Sequence, residues 1–331
     1  LSGARRGAAA IAHYDALLRD RGFADELTPD LVLRVGDLPV SKPLRSWLES
    51  LAGIRQVALD PEGAWQDPAA VLSESFALEP AAALDALLED SPNLAPQEWL
   101  ERWRRADRLA AEAIHAVLGE SPISEPAVAA ELGVLLAEQN TLFVASSMPV
   151  RDIETFWPVR EDPPRVLCNR GANGIDGTVS AAFGAAAAHD GAQVMLLIGD
   201  VALAHDIGGL LAASRLQLRL TIVLLNNDGG GIFDFLPVAG ARMALASDPA
   251  LPEHDIYTRH VATPTGLDFS RAAALYGLDH ERVANLPGFR AALERALAAE
   301  GSSIVEVPCE RAANVALHRR MWQSVAESLS R

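Results

Sequence analysis

Two polar segments of the chain combine residue types that bind divalent cations. Asp200 and Asn227 each follow an apolar run that predicts a buried strand, and they lie 27 positions apart (227 − 200). The segment 205–218 between them has a helical pattern. A strand, helix and strand in this order predict neighbouring parallel strands. We therefore expect both polar tips at the carboxyl edge of one sheet, where open α/β sheets bind their ligands.

The second tip continues into a glycine-rich run, 228–231. A backbone carbonyl at Gly229, with the Asp200 carboxylate and the Asn227 amide oxygen, would give the hard oxygen set that Mg²⁺ prefers. The glycines would let the backbone approach a diphosphate with its N–H groups exposed. Asn-Asn-Asp-Gly is also ordinary turn chemistry. Alone it favours a turn, whereas its pairing with Gly-Asp favours a metal site.

The composition limits the class of protein. The chain has 331 residues, half of them apolar, and a formal charge of −16, which argues against nucleic-acid and anionic membrane surfaces. Its two cysteines, Cys168 and Cys309, exclude a disulfide framework and fit a reducing cytoplasm. No uncharged apolar run approaches the length of a membrane span. We expect a cytoplasmic enzyme with small-molecule substrates and neither nucleic-acid nor membrane partners.

The order of predicted elements favours an α/β fold with two doubly wound domains and mostly parallel sheets. Pro- and Gly-containing breakers before Ser124 place the boundary between residues 122 and 123. The long segment 240–265 is expected to be a loop that orders when ligand binds. The predicted strands are 31–35, 56–59, 141–145, 165–168, 193–198, 220–225, 281–283 and 303–307, and the predicted helices are 8–21, 44–52, 81–88, 98–118, 126–138, 178–188, 205–216, 269–276 and 287–299.

Several motifs carry a family resemblance. Gly-Asp followed by Asn-Asn at this spacing resembles the diphosphate and metal signature of thiamine-diphosphate enzymes, although Val201 stands where glycine is usual. The segments 146–152, 168–177 and 226–237 resemble the 2-succinyl-5-enolpyruvyl-6-hydroxy-3-cyclohexene-1-carboxylate (SEPHCHC) synthases of menaquinone biosynthesis. This resemblance extends from about residue 31 to the C-terminus and is strongest over 140–240.

The resemblance implies a transferase that uses thiamine diphosphate with Mg²⁺ or Mn²⁺. Such an enzyme decarboxylates 2-oxoglutarate and adds the resulting succinyl carbanion to isochorismate. By this resemblance, residues 1–122 form a central α/β domain, either whole or without part of its N-terminus, and residues 123–331 form the diphosphate-binding domain. The family works as homodimers or tetramers. Its tautomerising glutamate lies in an N-terminal pyrimidine-binding domain, which no segment here resembles, so we expect no steady turnover from this chain alone.

The resemblance also implies individual roles. Arg151 and Arg170 would bind substrate carboxylates, with the Ser147 hydroxyl nearby, because a guanidinium matches both oxygens of a carboxylate. Lys42 would reach over the site, and Ile175 would support the bent cofactor. The cofactor contacts are Gly199, Asp200, Val201, Ala202, Ile175, Asn227, Gly229, Ile232 and Phe233, and the metal ligands are Asp200, Asn227 and Gly229.

Other interpretations stay open. Each arginine is also compatible with a surface ion pair, Lys42 with a solvated lysine at a helix start, and Ile175 with an ordinary buried side chain. His205 and Asp206 have structural roles in this interpretation. A different thiamine-diphosphate enzyme, such as a 2-oxo acid decarboxylase or acetohydroxyacid synthase, would share the metal site. A non-catalytic module that binds ADP-like diphosphates is the remaining alternative.

Overall fold

The computed structural model describes residues 5–51, 53–64, 66–90, 97–188, 193–239 and 257–330. The chain forms two compact units, each with its own parallel sheet. The smaller unit comprises Ile11–His115 with Trp322–Arg331, and the larger unit comprises Leu1–Ala10 with Ala116–Met321. One division, between residues 115 and 116, falls within the continuous helix Gln97–Gly119, and the boundary predicted after residue 122 stays a prediction.

The smaller unit contains a three-stranded parallel sheet in the order β1-β2-β3. Ser41 caps the helix that follows β1, since its hydroxyl accepts a hydrogen bond from the backbone N–H of Leu44. The strands are β1 (Leu31–Val35), β2 (Arg55–Leu59) and β3 (Glu74–Phe76), and the helices are α1 (Tyr14–Leu17), α2 (Arg21–Glu26), α3 (Lys42–Ser50), α4 (Pro80–Asp90) and α5 (Gln97–Gly119).

The larger unit contains a six-stranded, all-parallel sheet in the order β5-β4-β6-β7-β9-β8. Its central strands are almost continuously buried, as expected for a sheet covered on both faces. The strands are β4 (Thr141–Val144), β5 (Arg165–Cys168), β6 (Val194–Gly199), β7 (Leu220–Asn226), β8 (Asp279–Arg282) and β9 (Ser303–Pro308). The helices are α6 (Glu125–Leu135), α7 (Met148–Phe156), α8 (Thr178–Ala188), α9 (Asp200–His205), α10 (Leu211–Leu216), α11 (Phe269–Tyr276), α12 (Leu286–Ala298) and α13 (Arg311–Leu329).

The strand order of the larger unit contains a topological switch point. From β4 the chain proceeds to β5 on one side and then returns to β6 on the other side of β4. The connections therefore diverge at the carboxyl ends of β4 and β6, which leaves a crevice there. The α/β fold class and the parallel sheets predicted from the sequence are confirmed.

Some predicted elements were wrong. The helix predicted over 8–21 is replaced by α1 and α2, because the Asp20 side chain caps a new helix by accepting from the Phe23 N–H. The helix predicted over 205–216 begins earlier, at Asp200, and is interrupted by a 3₁₀ turn, Ile207–Leu210. β3, α7 and α13 were not predicted. Most of the predicted loop, 240–256, lies outside the described residues, and Thr258–Ala262 forms a π-helical turn.

Among the described helices, none combines the length and apolar character needed to cross a bilayer.

The core of the larger unit gives a stability prediction. Leu196 on β6 is fully buried in the main hydrophobic cluster, whereas Leu275 on α11 is 77% exposed. Leu196→Ala should lower the free energy of unfolding by about 2–5 kcal/mol, since it removes buried contacts and leaves a cavity. Leu275→Ala, the matched control, should change it by no more than about 0.5 kcal/mol. Urea unfolding followed by circular dichroism measures both, and equal effects would contradict this assignment of the core.

Candidate active site

A cleft of about 280 Å³ lies in the larger unit, at the ends of β4, β6 and β7. It coincides with the crevice that the switch point predicts. Lys42, by contrast, belongs to the smaller unit, where it is the first residue of α3. All the other site residues predicted from the sequence line this cleft, namely Ser147, Arg151, Arg170, Ile175, Gly199, Asp200, Val201, Ala202, Asn227, Gly229, Ile232 and Phe233.

Asp200 connects the two predicted metal-binding tips. It is the buried first residue of α9, directly after β6, and its Oδ2 accepts a hydrogen bond of 2.8 Å from the Gly229 N–H. Burial raises the pKa of Asp200 to about 6, although this hydrogen bond opposes the shift. A cation beside the carboxylate would favour its charged form. The environment therefore suits a carboxylate that binds a positive ion.

Asn227 presents a buried oxygen without a donor. Its Nδ2 donates a hydrogen bond of 2.7 Å to Glu125 Oε1. Its Oδ1 is buried and has no hydrogen-bond partner in the part of the chain that the structure describes. A buried acceptor left unsatisfied costs free energy, roughly 1–3 kcal/mol, so such an atom points to a missing ligand. A divalent cation would satisfy it, and carboxylate with amide oxygen is a suitable donor set for Mg²⁺.

The glycine-rich run corrects one expectation. The N–H groups of Gly229, Gly230 and Gly231 are not exposed to a diphosphate, because they donate within the unit to Asp200 Oδ2, Ala262 O and Gly229 O respectively. Glycine is needed at these positions because a side chain would collide with neighbouring atoms. Gly229 has φ +140°, and a Cβ there would lie 2.6 Å from the carbonyl oxygen of Ala262. The Gly229 carbonyl accepts from Gly231 and retains a second lone pair for a cation.

Two arginines line the cleft beside the predicted metal-binding tips. Arg151 Nη1 donates a hydrogen bond of 2.7 Å to the carbonyl oxygen of Ser147, at the start of the same helix. Arg170 follows β5, is exposed, and forms no hydrogen bond or ion pair within the described ranges. Burial lowers the pKa of Arg151, and the positive charge of Arg170 adds to that shift against the opposing charge of Asp152. The cleft thus holds two neighbouring guanidinium groups that are available to anions.

The loop before α8 places Ile175 at the cleft. Ile175 is partly buried and packs against the main hydrophobic cluster. The next residue, Asp176, accepts from the Asn173 N–H at 2.6 Å and pairs with His205 Nε2 at 2.8 Å. His205 therefore has the partner that the sequence did not identify, and Asp206 accepts from the Ser180 N–H in the first turn of α8. Both contacts hold the polypeptide in place, in agreement with structural roles.

A buried ionisable group that the sequence analysis missed is Glu125. It is the first residue of α6, and its sequence context, after the N-cap Ser124, resembled an ordinary helix start. Burial raises the pKa of Glu125 to about 8, and the charge of Asp152 adds to the shift, while the hydrogen bond from Asn227 opposes it. Nothing in the sequence distinguishes this glutamate from a solvent-exposed one, because its partner Asn227 lies 102 positions away.

His318 and Asp152 form a second buried pair that was not predicted. His318 Nε2 lies 3.1 Å from Asp152 Oδ1, and its Nδ1 lies 2.9 Å from the carbonyl oxygen of Asn314. Carboxylate and carbonyl oxygens both accept, so both ring nitrogens donate and the imidazole is cationic. Burial lowers the pKa of His318, but the hydrogen bond and charge of Asp152 outweigh this and the net pKa is raised. The pair joins α13 to α7, the helix that carries Arg151.

The comparisons with known proteins identify the class. Residues 150–307 match the family described as thiamine pyrophosphate enzyme, C-terminal TPP binding domain. This range contains β5, β6 and β7 and both metal-binding tips. The larger unit therefore contains a segment that matches this thiamine-diphosphate-binding domain family, and the family resemblance drawn from the Gly-Asp and Asn-Asn motifs is confirmed.

Curated relatives share one enzyme name. Proteins from Listeria monocytogenes, Geobacillus kaustophilus and Bacillus pumilus are 38%, 40% and 37% identical to this chain over 321, 320 and 323 residues. Each is named 2-succinyl-5-enolpyruvyl-6-hydroxy-3-cyclohexene-1-carboxylate synthase. The alignments cover 96–97% of this chain and 53% of each relative. The chain thus spans about half the length of the curated relatives it matches, and its resemblance to SEPHCHC synthases is confirmed.

The cationic His318 gives a pH prediction. Its pKa is raised above the unfolded value of 6.5, so its stabilising contribution is complete below pH 6.5 and is lost as pH rises through the folded pKa. The difference in unfolding free energy between the wild type and His318→Gln should therefore shrink as pH rises from 6 to 9. Urea unfolding across this range measures it. A pH-independent difference for His318→Gln would contradict the cationic assignment.

Proposed function

We propose that this chain forms the diphosphate-binding and substrate-binding part of a SEPHCHC synthase in menaquinone biosynthesis. The observation that carries the proposal is the orphaned Asn227 Oδ1 beside the buried Asp200 carboxylate, in a cleft with two available arginines. The proposed reaction is the decarboxylation of 2-oxoglutarate and the addition of the succinyl carbanion to isochorismate. The names of the curated relatives support this assignment.

The metal-binding role follows from the donor set. Asp200, Asn227 and the Gly229 carbonyl would hold Mg²⁺ or Mn²⁺, which in turn binds the cofactor's diphosphate oxygens. Gly199, Val201, Ala202, Ile232 and Phe233 line the same cleft and would contact the cofactor. Ile175 would support its bent conformation from the loop before α8. When bound, thiamine diphosphate supplies the electron sink that allows a 2-oxo acid to lose carbon dioxide.

The substrate-binding role rests on charge. Both proposed substrates are dicarboxylates, and a chain with a formal charge of −16 repels them except where cations are concentrated. Arg151 and Arg170 provide that concentration in the cleft. Charge-assisted hydrogen bonds of this kind contribute roughly 1.5–3 kcal/mol each. Ser147, whose carbonyl oxygen orients Arg151, would add its hydroxyl as a further donor.

Three features of the intact protein belong to the same proposal. Lys42, on the smaller unit, would contribute a further cation toward the substrates. The intact protein would be a homo-oligomer, a dimer or a tetramer. It would work in the cytoplasm, where reduced cysteines such as Cys168 and Cys309 are stable.

One prediction from the proposed function concerns cofactor binding. Asp200→Ala should weaken Mg²⁺-dependent binding of thiamine diphosphate to the chain about tenfold or more, because the buried carboxylate ligand is lost. Calorimetric titration measures the dissociation constant, with Asp279→Ala as a control on the exposed start of β8. Titration with ADP distinguishes the proposed enzyme from a non-catalytic module that binds ADP-like diphosphates. Tighter binding of ADP than of thiamine diphosphate by the wild type would contradict the proposal.

Another prediction from the proposed function concerns substrate binding. Arg170→Ala should weaken binding of isochorismate to the chain roughly tenfold to a hundredfold, since one charge-assisted contact is lost. Arg271→Ala removes an exposed arginine of α11 and should leave the affinity unchanged. Both variants should keep their affinity for thiamine diphosphate. Another 2-oxo acid enzyme of this class does not use isochorismate. If the wild type bound isochorismate no more tightly than a neutral cyclohexenol, that alternative would be favoured.

A further inference from the structure

One hydrogen bond controls the orientation of the proposed metal ligand Asn227. The side chain of Glu125, at the first position of α6, reaches the end of β7 and accepts the Asn227 Nδ2 hydrogen at 2.7 Å. Glu125 is 1% exposed, so water does not compete for this contact. The two residues lie far apart in sequence and are joined only by the fold.

The chemistry of the amide makes this contact directional. An asparagine amide has a donating nitrogen and an accepting oxygen, and only the oxygen binds a cation. A carboxyl oxygen accepts the N–H of Asn227 whether Glu125 is charged or neutral. With Nδ2 held against Glu125, Oδ1 is the end left without a partner among the described residues. A rotation of the amide by half a turn would offer its N–H₂ group to the cation and lose a ligand.

The backbone also confines the amide nitrogen of Asn227. A Cβ at Gly231 would lie 2.8 Å from Asn227 Nδ2, so the backbone of the 3₁₀ turn Gly231–Phe235 passes close to the amide. Asp200 is positioned separately, through the Gly229 N–H. The two side-chain ligands of the proposed site therefore have independent supports, and the support of Asn227 is Glu125.

We propose that Glu125 is a positioning residue for the metal ion: it orients Asn227 so that Oδ1 faces the cation, without itself touching the cation. This inference rests on the proposed function, because it requires a metal at Asp200 and Asn227. Partners that orient metal ligands in this way typically change metal affinity about tenfold to a hundredfold when they are removed. Glu125 should therefore affect metal binding more than its distance from the cation suggests.

The test is a titration of the chain with Mn²⁺ in the presence of thiamine diphosphate, with free Mn²⁺ followed by electron paramagnetic resonance. Glu125→Met replaces the carboxyl group by an apolar group of similar length and should raise the Mn²⁺ dissociation constant roughly tenfold to a hundredfold. Glu125→Gln keeps an accepting oxygen and should stay within about threefold of the wild type. Glu131→Met, on the same helix, removes a carboxylate that pairs with Arg290 and should have no effect.

The same substitution in an Asn227→Ala variant distinguishes a positioning role of Glu125 from a general effect on protein stability. In Asn227→Ala, no amide remains to be oriented, so adding Glu125→Met should not raise the dissociation constant further. A similar loss in both backgrounds would overturn the proposal, as would wild-type affinity in Glu125→Met. Thermal unfolding reports folding, and Glu125→Leu replaces the methionine variant if that one does not fold. Failure of both apolar variants to fold would assign Glu125 to fold stability and overturn the positioning role. A wild-type chain without Mn²⁺ affinity would instead refute the proposed function.

Discussion

The parallel register of β6 with β7 is the constraint on which the site depends. It pairs Gly199 with Leu225, so the chain leaves both strands at the same level of the sheet. Asp200 and Asn227 then follow on adjacent tips, and the hydrogen bond from Gly229 to Asp200 joins them. Because side chains alternate across a strand, a slip of one residue would turn every core residue of β7 to the other face. The apolar core of the sheet thus fixes the geometry of the polar cleft.

Burying carboxylates in an acidic chain requires local compensation. Burial, with repulsion from Asp152 and Asp200, raises the pKa of Glu125 to about 8, and burial, with repulsion from Asp228, raises the pKa of Asp200 to about 6. The cationic His318 offsets part of this charge beside Asp152. A divalent cation at Asn227 would offset more. The buried acidic groups therefore favour the metal ion proposed for this cleft.

The sequence predicts the tips of this site well because they combine local signals, an apolar strand followed by Gly-Asp or Asn-Asn. It fails where a helix buries polar residues. α13 buries Asn314 and His318 and therefore shows no clear apolar stripe, and α7 is a short helix that buries Asp152 and Glu154. The contact of Glu125 with Asn227 and the internal use of the glycine N–H groups depend on pairings between distant segments. Those pairings exist only once the sheet has formed, and no local pattern encodes them.

Ser147 shows how function and folding make opposite demands on one position. Its φ of +75° and ψ of −134° belong to a region that glycine occupies freely and that costs other residues about 1–3 kcal/mol. A glycine there would relax the backbone but would remove a side chain from a residue that lines the cleft. The chain therefore tolerates a conformational penalty at the mouth of its binding site. If Ser147 binds substrate as proposed, evolution toward greater heat resistance would have to find its gains elsewhere, because the simplest repair removes its hydroxyl.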